Sequence, residues 1–145
     1  MSDLVSHPAE HRVPELFEAA RAVQSRAYAP YSHFNVGAAI LTTTGHVYAC
    51  CNVENAAYPV STCAEAGAIS MMIAGGDDSI AAVLTICDGD EVGTCCGGCR
   101  QRIREFSSPT TAIYACGPEG VRAVFTMDGL LPVSFGPDNL RGFVQ

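Results

Sequence analysis

Three cysteines and a glutamate stand in a pattern that could bind a metal and move a proton. Glu65 follows Cys63 by two residues, and Cys96 and Cys99 form a Cys-x-x-Cys pair further along the chain. Thiolates are good zinc ligands, and three protein ligands leave the fourth tetrahedral position open. In catalytic zinc sites that position holds a water whose pKa the metal lowers, which creates a nucleophile near neutral pH. The spacing therefore predicts a hydrolytic zinc site built by Cys63, Cys96 and Cys99.

A carboxylate beside the metal, but not bound to it, suits Glu65. Such a group can accept a proton from the attacking water and deliver it to a leaving group. The alternative is structural, because Thr62-x-x-Glu65 is also a capping box in which the Glu side chain satisfies a free backbone N–H. Taken alone, Glu65 is better explained as a cap. Beside Cys63 and the Cys-x-x-Cys pair, we expect it to be catalytic.

Cys96 and Cys99 have two alternative interpretations. A closed structural zinc site needs a fourth ligand, for which Cys95 is the obvious spare thiol. A redox pair would instead form a disulfide and bind no zinc.

The hydrophobic pattern predicts helices and strands in alternation. Helical spacing, short apolar runs and Gly or Pro punctuation indicate a helix at residues 13–27, a hairpin at 35–40 and 46–51, a helix at 62–74, a strand at 81–87, a helix at 97–106 and strands at 111–115 and 121–126. This order favours an α/β fold with a mixed sheet, because it opens with a hairpin. Cys63 and Cys96 fall at predicted helix starts, where oriented N–H groups lower the pKa of a thiol.

Length and charge limit the classes of function. With 145 residues, 48% of them hydrophobic, we expect a single domain over residues 1–145. The net charge is −7, and the chain has no Lys and only eight Arg. Nucleic-acid binding depends on cations that neutralise phosphates, so we expect no nucleic-acid partner and a small, uncharged ligand instead.

The chain has no uninterrupted apolar segment of the length that a membrane helix needs, roughly 20 residues. Its first residues do not read as a signal peptide. We therefore expect a cytoplasmic protein with no membrane partner. Its eight cysteines are then thiols or metal ligands rather than a disulfide framework.

Five segments of the chain form a combination of motifs: YAPYSHFNVGA at 28–38, CNVENA at 51–56, TCAE at 62–65, CGGCRQ at 96–101 and LLPVSF at 130–135. His or Cys, x, Glu, followed by Pro-Cys-x-x-Cys, is the signature of zinc deaminases. With these segments the chain resembles the small homotetrameric cytidine deaminases over most of its length. Their combination is far more specific than any one of them.

This resemblance implies a three-layer α/β/α sandwich with a mixed, about five-stranded sheet, assembled as a homotetramer. It implies zinc-dependent hydrolysis of cytidine or deoxycytidine to the uracil nucleoside and ammonia, in pyrimidine salvage. Phe34 is expected to pack against the pyrimidine, Asn52 and Glu54 to bind the ribose 3′-hydroxyl, and Ala64 and Glu65 to contact the polar edge of the base. By the same analogy, a neighbouring subunit's pocket is reached or bordered by Ala56, Tyr58 and Phe135.

Two positions depart from the family pattern at the zinc site. The family commonly has Arg after Cys-Ala-Glu, where it bonds the zinc thiolates, but this chain has Ala66. Three thiolates on Zn²⁺ leave a net charge of −1, which second-shell donors must offset. We expect Arg100, directly after Cys99, to take that role. The second departure is Cys95, which replaces the usual Pro and is either idle or an occasional competing ligand.

Two other functions compete with cytidine deamination. A deaminase for a modified cytosine nucleoside such as blasticidin S shares the chemistry, but Asn52 and Glu54 favour a true ribose or deoxyribose. A non-enzymatic, zinc-stabilised binding module would keep the metal and would not need Glu65.

Overall fold

A five-stranded mixed sheet organises the computed structural model, which describes residues 7–143. The helices and strands, in chain order, are α1 (Val13–Gln24), β1 (Val36–Thr42), β2 (Val47–Cys51), α2 (Ala64–Ala74), β3 (Ile80–Cys87), α3 (Gly97–Phe106), β4 (Ala112–Gly117), β5 (Gly120–Thr126) and the single turn α4 (Met127–Leu130). The predicted α/β class and the mixed, five-stranded sheet are confirmed.

The strand order across the sheet is β2-β1-β3-β4-β5. Only the β3–β4 pair is parallel, and α3 forms the crossover that a parallel connection requires. The three other neighbouring pairs are antiparallel, including the predicted β1–β2 hairpin. The sheet is therefore mixed because one crossover is inserted into a series of hairpin-like pairings.

Apolar side chains of the sheet alternate between two packed faces. On β3, Leu84 and Ile86 face a core cluster that includes Leu16 and Ala20 of α1. Val83 points the other way, into a cluster that includes Met72 of α2 and residues of α3. Alternation with period two thus places α1 on one face and α2 and α3 on the other, which gives three layers.

Gly37 allows α1 to lie close to β1. A Cβ atom at this position would stand 2.0 Å from the backbone oxygen of Ala20, a contact that no side chain can occupy. The small residue therefore sets the distance between helix and sheet, as glycine does where two backbones approach closely.

One end of the sheet collects three strand termini. Val36 at the start of β1 pairs with Cys87 at the end of β3, and Gly37 pairs with Cys51 at the end of β2. The segments that precede β1 and follow β2 and β3 must consequently meet at this edge.

The first helix is shorter than its hydrophobic spacing predicted. It ends at Gln24 rather than at residue 27, and Tyr28 instead forms an isolated bridge with Val53. The backbone of Tyr28 also exchanges hydrogen bonds with Asn52 and Glu54. This pairing stabilises the end of β2, from which candidate site residues project.

Candidate active site and metal centre

The two cysteine motifs begin two helices at the same end of the sheet. Cys63 precedes α2 and Cys96 precedes α3, both in extended conformation, and neither accepts a capping hydrogen bond on its side chain. Cys99 lies in the first turn of α3, so its thiol and that of Cys96 are presented by one helix start. The predicted placement of the cysteines at helix starts is observed.

The sulfur atoms of Cys63, Cys96 and Cys99 converge. All three lie within 4.8 Å of one another, and the Sγ atoms of Cys63 and Cys96 are 3.8 Å apart. Two thiolates at ~2.3 Å from a tetrahedral zinc ion are separated by about 3.8 Å, so the donor set and its spacing fit zinc. Cys99 is buried whereas Cys96 is exposed, which leaves one side of the triad accessible.

Cys95 is not part of this sulfur group, although it is adjacent to Cys96. Its side chain is buried, and burial is the main reason that its thiol pKa is strongly raised. A closed four-thiol site would need this sulfur, so the arrangement favours an open, three-ligand site.

Thiol acidity differs among the three cysteines. Burial raises the pKa of Cys63, and burial together with the Glu65 carboxylate raises that of Cys99. The pKa of Cys96 is lowered: burial opposes its ionisation, but the backbone N–H of Cys99 and the thiols of Cys63 and Cys99 outweigh burial. The expected lowering by helix starts therefore holds for Cys96 and fails for the other two, because desolvation is larger there.

Glu65 is buried next to the triad. Only 5% of its surface is exposed, and within residues 7–143 its carboxylate has no hydrogen-bond partner. The capping alternative is wrong, because α2 has Cys63 as its N-cap and no side-chain capping bond. The carboxylate is thus free to interact with a molecule beside the metal ligands.

A cavity of about 270 Å³ opens onto this group. Its size suits a small ligand. Four of the predicted substrate and catalytic residues line it together with two of the triad cysteines: Phe34, Asn52, Ala64, Glu65, Cys63 and Cys96. Phe34 precedes β1 and Asn52 follows β2, so the meeting of strand termini explains how these distant residues share one pocket.

Sequence analysis did not anticipate the remaining cavity residues: Val36, Thr85, Cys87, Gly93 and Thr94. Thr85 is the most informative of them, because its buried hydroxyl has no hydrogen-bond partner in the structure. The feature of the sequence that could have indicated this residue is a hydroxyl side chain among the apolar residues of β3.

Asn52 and Glu54 are held by backbone groups. The Asn52 amide accepts a hydrogen bond from the N–H of Val36 and donates one to the carbonyl of Phe34, and both bonds are 2.8 Å long. Glu54 accepts from the N–H groups of Tyr31 and Ser32 and from the Ser32 hydroxyl; the hydroxyl contributes most to a lowered Glu54 pKa. Asn52 lines the cavity, whereas Glu54 lines an adjoining groove.

Tyr58 lies in that adjoining groove with Glu54, and its ring meets Tyr31 edge to face, with ring centroids 5.8 Å apart. Phe135 and Ala56 do not line the cavity of this chain. Tyr58 and Phe135 are 70% and 59% exposed, so both rings are available to another surface.

The structure places Arg100 away from the thiols, which corrects the expectation for this residue. Its three guanidinium nitrogens donate to the carbonyl of Cys95, the carbonyl of Leu130 and the hydroxyl of Thr94. Helix geometry explains the difference, because a residue directly after Cys99 projects about 100° away from it. The contact with a triad sulfur belongs to Arg102, whose Nη1 lies 3.7 Å from Cys99 Sγ.

A larger cleft of about 500 Å³ lies elsewhere on the chain, beside the residues that precede α1. Its lining contains His7, His11 and Arg12 but, among the described residues, no cysteine or carboxylate. It therefore lacks both the metal ligands and the proton carrier found in the smaller cavity.

No helix within residues 7–143 combines the length and apolar character that a bilayer span requires. All eight cysteines are free thiols.

The fold and site define a class of zinc-dependent α/β hydrolytic enzymes with an open three-cysteine metal site. A family model described as the cytidine and deoxycytidylate deaminase zinc-binding region matches residues 11–116. The cytidine deaminase of Sporosarcina psychrophila is 35% identical over 128 residues, covering 88% of this chain and 94% of that protein. A probable cytidine deaminase of Dictyostelium discoideum is 37% identical over 132 residues, covering 90% and 88%.

Solved structures agree with this assignment. The crystal structure of cytidine deaminase from Burkholderia pseudomallei superposes with a TM-score of 0.79 at 39% identity, over 84% of this chain and 98% of that one. That of cytidine deaminase from Mycobacterium tuberculosis gives 0.73 at 33% identity, over 85% and 96%. The chain belongs to the zinc-dependent cytidine deaminase family.

Proposed function

We propose that the chain converts cytidine or deoxycytidine and water into the uracil nucleoside and ammonia, with Cys63, Cys96 and Cys99 as zinc ligands and Glu65 as proton carrier. The observation that carries this proposal is the buried Glu65 carboxylate, without a hydrogen-bond partner in the described part of the chain, beside three convergent thiols at the wall of a ligand-sized cavity. Membership of the cytidine deaminase family supports the reaction and the metal.

Zinc, when bound by the three thiolates, supplies water activation at neutral pH. Glu65 accepts a proton from the water that attacks C4 of the cytosine ring. The same carboxylate then delivers this proton to ring N3. As the C4–N bond breaks and the C4 carbonyl forms, it takes the second proton from the hydroxyl added at C4 and passes it to the departing amino group, which leaves as ammonia. Its burial keeps bulk water away from this transfer, and because no group within residues 7–143 hydrogen-bonds its carboxylate, both oxygens are free.

The cavity can orient a flat base and a sugar. Phe34 offers an aromatic face for stacking against the pyrimidine, and Ala64 offers backbone polar groups at the start of α2. Asn52 keeps one N–H and one oxygen lone pair after its two backbone bonds, and these can bind the ribose 3′-hydroxyl. Glu54, held by Tyr31 and Ser32, approaches the same hydroxyl from the adjoining groove.

The test is an ultraviolet assay of metal-quantified protein and its Glu65→Gln variant with cytidine, deoxycytidine and blasticidin S. We expect turnover of the two natural nucleosides, and a fall in kcat of about 10²–10⁴-fold in the variant, the usual contribution of general acid–base catalysis. Zinc content and fold should not change. Turnover of blasticidin S alone would identify the modified-nucleoside alternative. Zinc binding without turnover by the wild-type chain would identify a binding module.

We further propose that residues 1–145 form one domain that assembles into a homotetramer. Two core clusters share a single sheet, which supports one domain. Exposed Tyr58 and Phe135, together with Ala56, are placed to reach a neighbouring subunit's pocket. Light scattering of the purified chain measures the assembly, and Phe135→Ser should raise KM if that ring borders a neighbouring active site.

We also propose a cytoplasmic role in pyrimidine salvage, since the reaction recovers a uracil nucleoside from a free cytosine nucleoside. The net charge of −7 and the absence of Lys support a small nucleoside substrate and no nucleic-acid partner. Growth of a pyrimidine auxotroph that lacks cytidine deaminase, with cytidine as sole pyrimidine source, tests this role.

A further inference from the structure

The three-thiolate site carries excess negative charge when zinc is bound. Three thiolates and one Zn²⁺ carry a net charge of −1, and the Glu65 carboxylate adds a second negative charge close by. Excess negative charge makes a zinc-bound water less acidic, unless hydrogen-bond donors to the ligands withdraw electron density.

Arg102 provides such a donor. Its Nη1 lies 3.7 Å from Cys99 Sγ, and among the described residues it is the side-chain nitrogen that bonds a triad sulfur. The two residues are three positions apart on α3, so their side chains lie on the same face of the helix. Guanidinium is always charged and carries several donors, which suits a thiolate acceptor.

Gly98 makes room for this contact. A Cβ atom at position 98 would lie 3.1 Å from Arg102 Nη1, closer than ordinary van der Waals contact. A larger residue there would push the guanidinium aside by at least a few tenths of an ångström. The second glycine of the Cys-Gly-Gly-Cys motif is therefore part of the same arrangement.

Other side chains that could contact the zinc thiolates either have different hydrogen-bond partners or lack a polar group. Arg100 uses all three nitrogens on Cys95, Leu130 and Thr94. Ala66, in the first turn of α2, has no polar group to offer. Arg104, one turn beyond Arg100, donates to the hydroxyl of Ser134 instead.

We propose that Arg102 is the positioning residue that offsets the negative charge of the zinc site through Cys99, and that Gly98 admits its guanidinium. In this chain the arginine that contacts a thiolate lies in the second turn of α3, instead of at the start of α2 directly after Cys-Ala-Glu. This inference rests on the zinc site of the proposed function, but its measurements do not depend on turnover.

The experiment compares zinc release from the wild-type protein and from Arg102→Gln, Arg102→Lys, Gly98→Ala and the control Arg104→Gln. Release to an excess of a coloured chelator is followed at equal protein concentration, after circular dichroism has established the fold. We expect release from Arg102→Gln to be about 10- to 100-fold faster, in line with the usual loss of metal affinity when a hydrogen-bond partner of a metal ligand is removed. Arg102→Lys should restore part of the retention, and Arg104→Gln should match the wild type.

Cobalt substitution gives a second readout. Removing a donor from a thiolate raises the energy of its sulfur electrons, so the sulfur-to-cobalt charge-transfer band should move to longer wavelength in Arg102→Gln and Gly98→Ala, but not in Arg104→Gln. Unchanged release and an unchanged band in Arg102→Gln would overturn the proposal, as would equal effects in Arg104→Gln. If Arg102→Gln does not fold, Gly98→Ala and Arg102→Lys decide. Wild-type protein that binds no metal would instead overturn the zinc site itself.

Discussion

The Sγ atoms of Cys63 and Cys96 lie 3.8 Å apart, although the two cysteines are 33 positions apart in the chain. Two helices on one face of the sheet bring them together, each with a cysteine at its first turn. The distance matches that of two thiolates on one tetrahedral zinc ion. The metal site is thus formed where two helix starts meet above the end of a sheet.

Zinc stoichiometry distinguishes the ligand Cys99 from its neighbour Cys95. Cys99→Ala removes one of three convergent sulfurs, so the purified variant should lose most of its zinc. Cys95→Ala removes a buried thiol outside the group and should retain the wild-type zinc content. Atomic absorption of both variants after dialysis measures this. Zinc loss in Cys95→Ala and retention in Cys99→Ala would reverse the assignment.

Phe34 should affect substrate binding more than chemistry. Stacking of a base on an aromatic ring is worth about 1–3 kcal/mol, so Phe34→Ala should raise KM for cytidine by about 5- to 150-fold. Phe34→Tyr keeps the aromatic face and serves as the matched control. Steady-state kinetics of both variants provide the measurement. Equal KM values for Ala and Phe at position 34 would show that the ring does not contact the base.

Thr85→Val should stabilise the free protein. Among residues 7–143 the buried hydroxyl of Thr85 has no hydrogen-bond partner, so the isosteric change removes an unsatisfied polar group and should raise the free energy of unfolding by about 1 kcal/mol. Thr111→Val is the control, because the buried Thr111 hydroxyl accepts a 2.9 Å hydrogen bond from the N–H of Ser108 and its loss should destabilise. Urea unfolding measures both. Destabilisation by Thr85→Val would indicate that its hydroxyl binds water or another group in solution.

Asp77 should make the stability of the protein depend on acidic pH. Its carboxylate accepts hydrogen bonds from Thr44, His46 and Tyr48, and these lower its pKa from 3.8 to about 2, with the Thr44 bond the largest cause. A carboxyl group whose pKa is lower in the folded state stabilises the fold at pH values above its ordinary pKa. This stabilisation is lost as the pH falls through the lowered pKa of the folded state.

The stability advantage of the wild type over Asp77→Asn should therefore shrink as pH falls from about 4 to about 2. Urea unfolding at a series of pH values measures the difference, and the exposed neighbour Asp78→Asn is the control. A constant difference across this range would mean that the ionised carboxylate of Asp77 does not stabilise the fold.

Local patterns predicted those parts of the fold that depend on neighbours in sequence. α3 begins and ends where its spacing indicated, and β3 differs from its prediction by one residue. The predicted end of α1 was wrong because Tyr28 pairs with Val53, a contact that helical periodicity does not encode. The single turn α4 is too short to produce a periodic signal.

The sequence by itself predicted that Cys63, Cys96 and Cys99 come together and that Glu65 lies beside them, because Cys-x-Glu and Cys-x-x-Cys at helix starts specify their own local geometry. Tertiary structure alone decided where Glu54 lies and that Thr85 lines the cavity. By residue type alone, Arg100 and Arg102 are equally suited to contact the thiolates. A helix turns by about 100° per residue, however, so of these two only Arg102 shares a face with Cys99. The positions of Glu54 and Thr85, in contrast, depend on how elements pack across the sheet, which is a property of the whole chain.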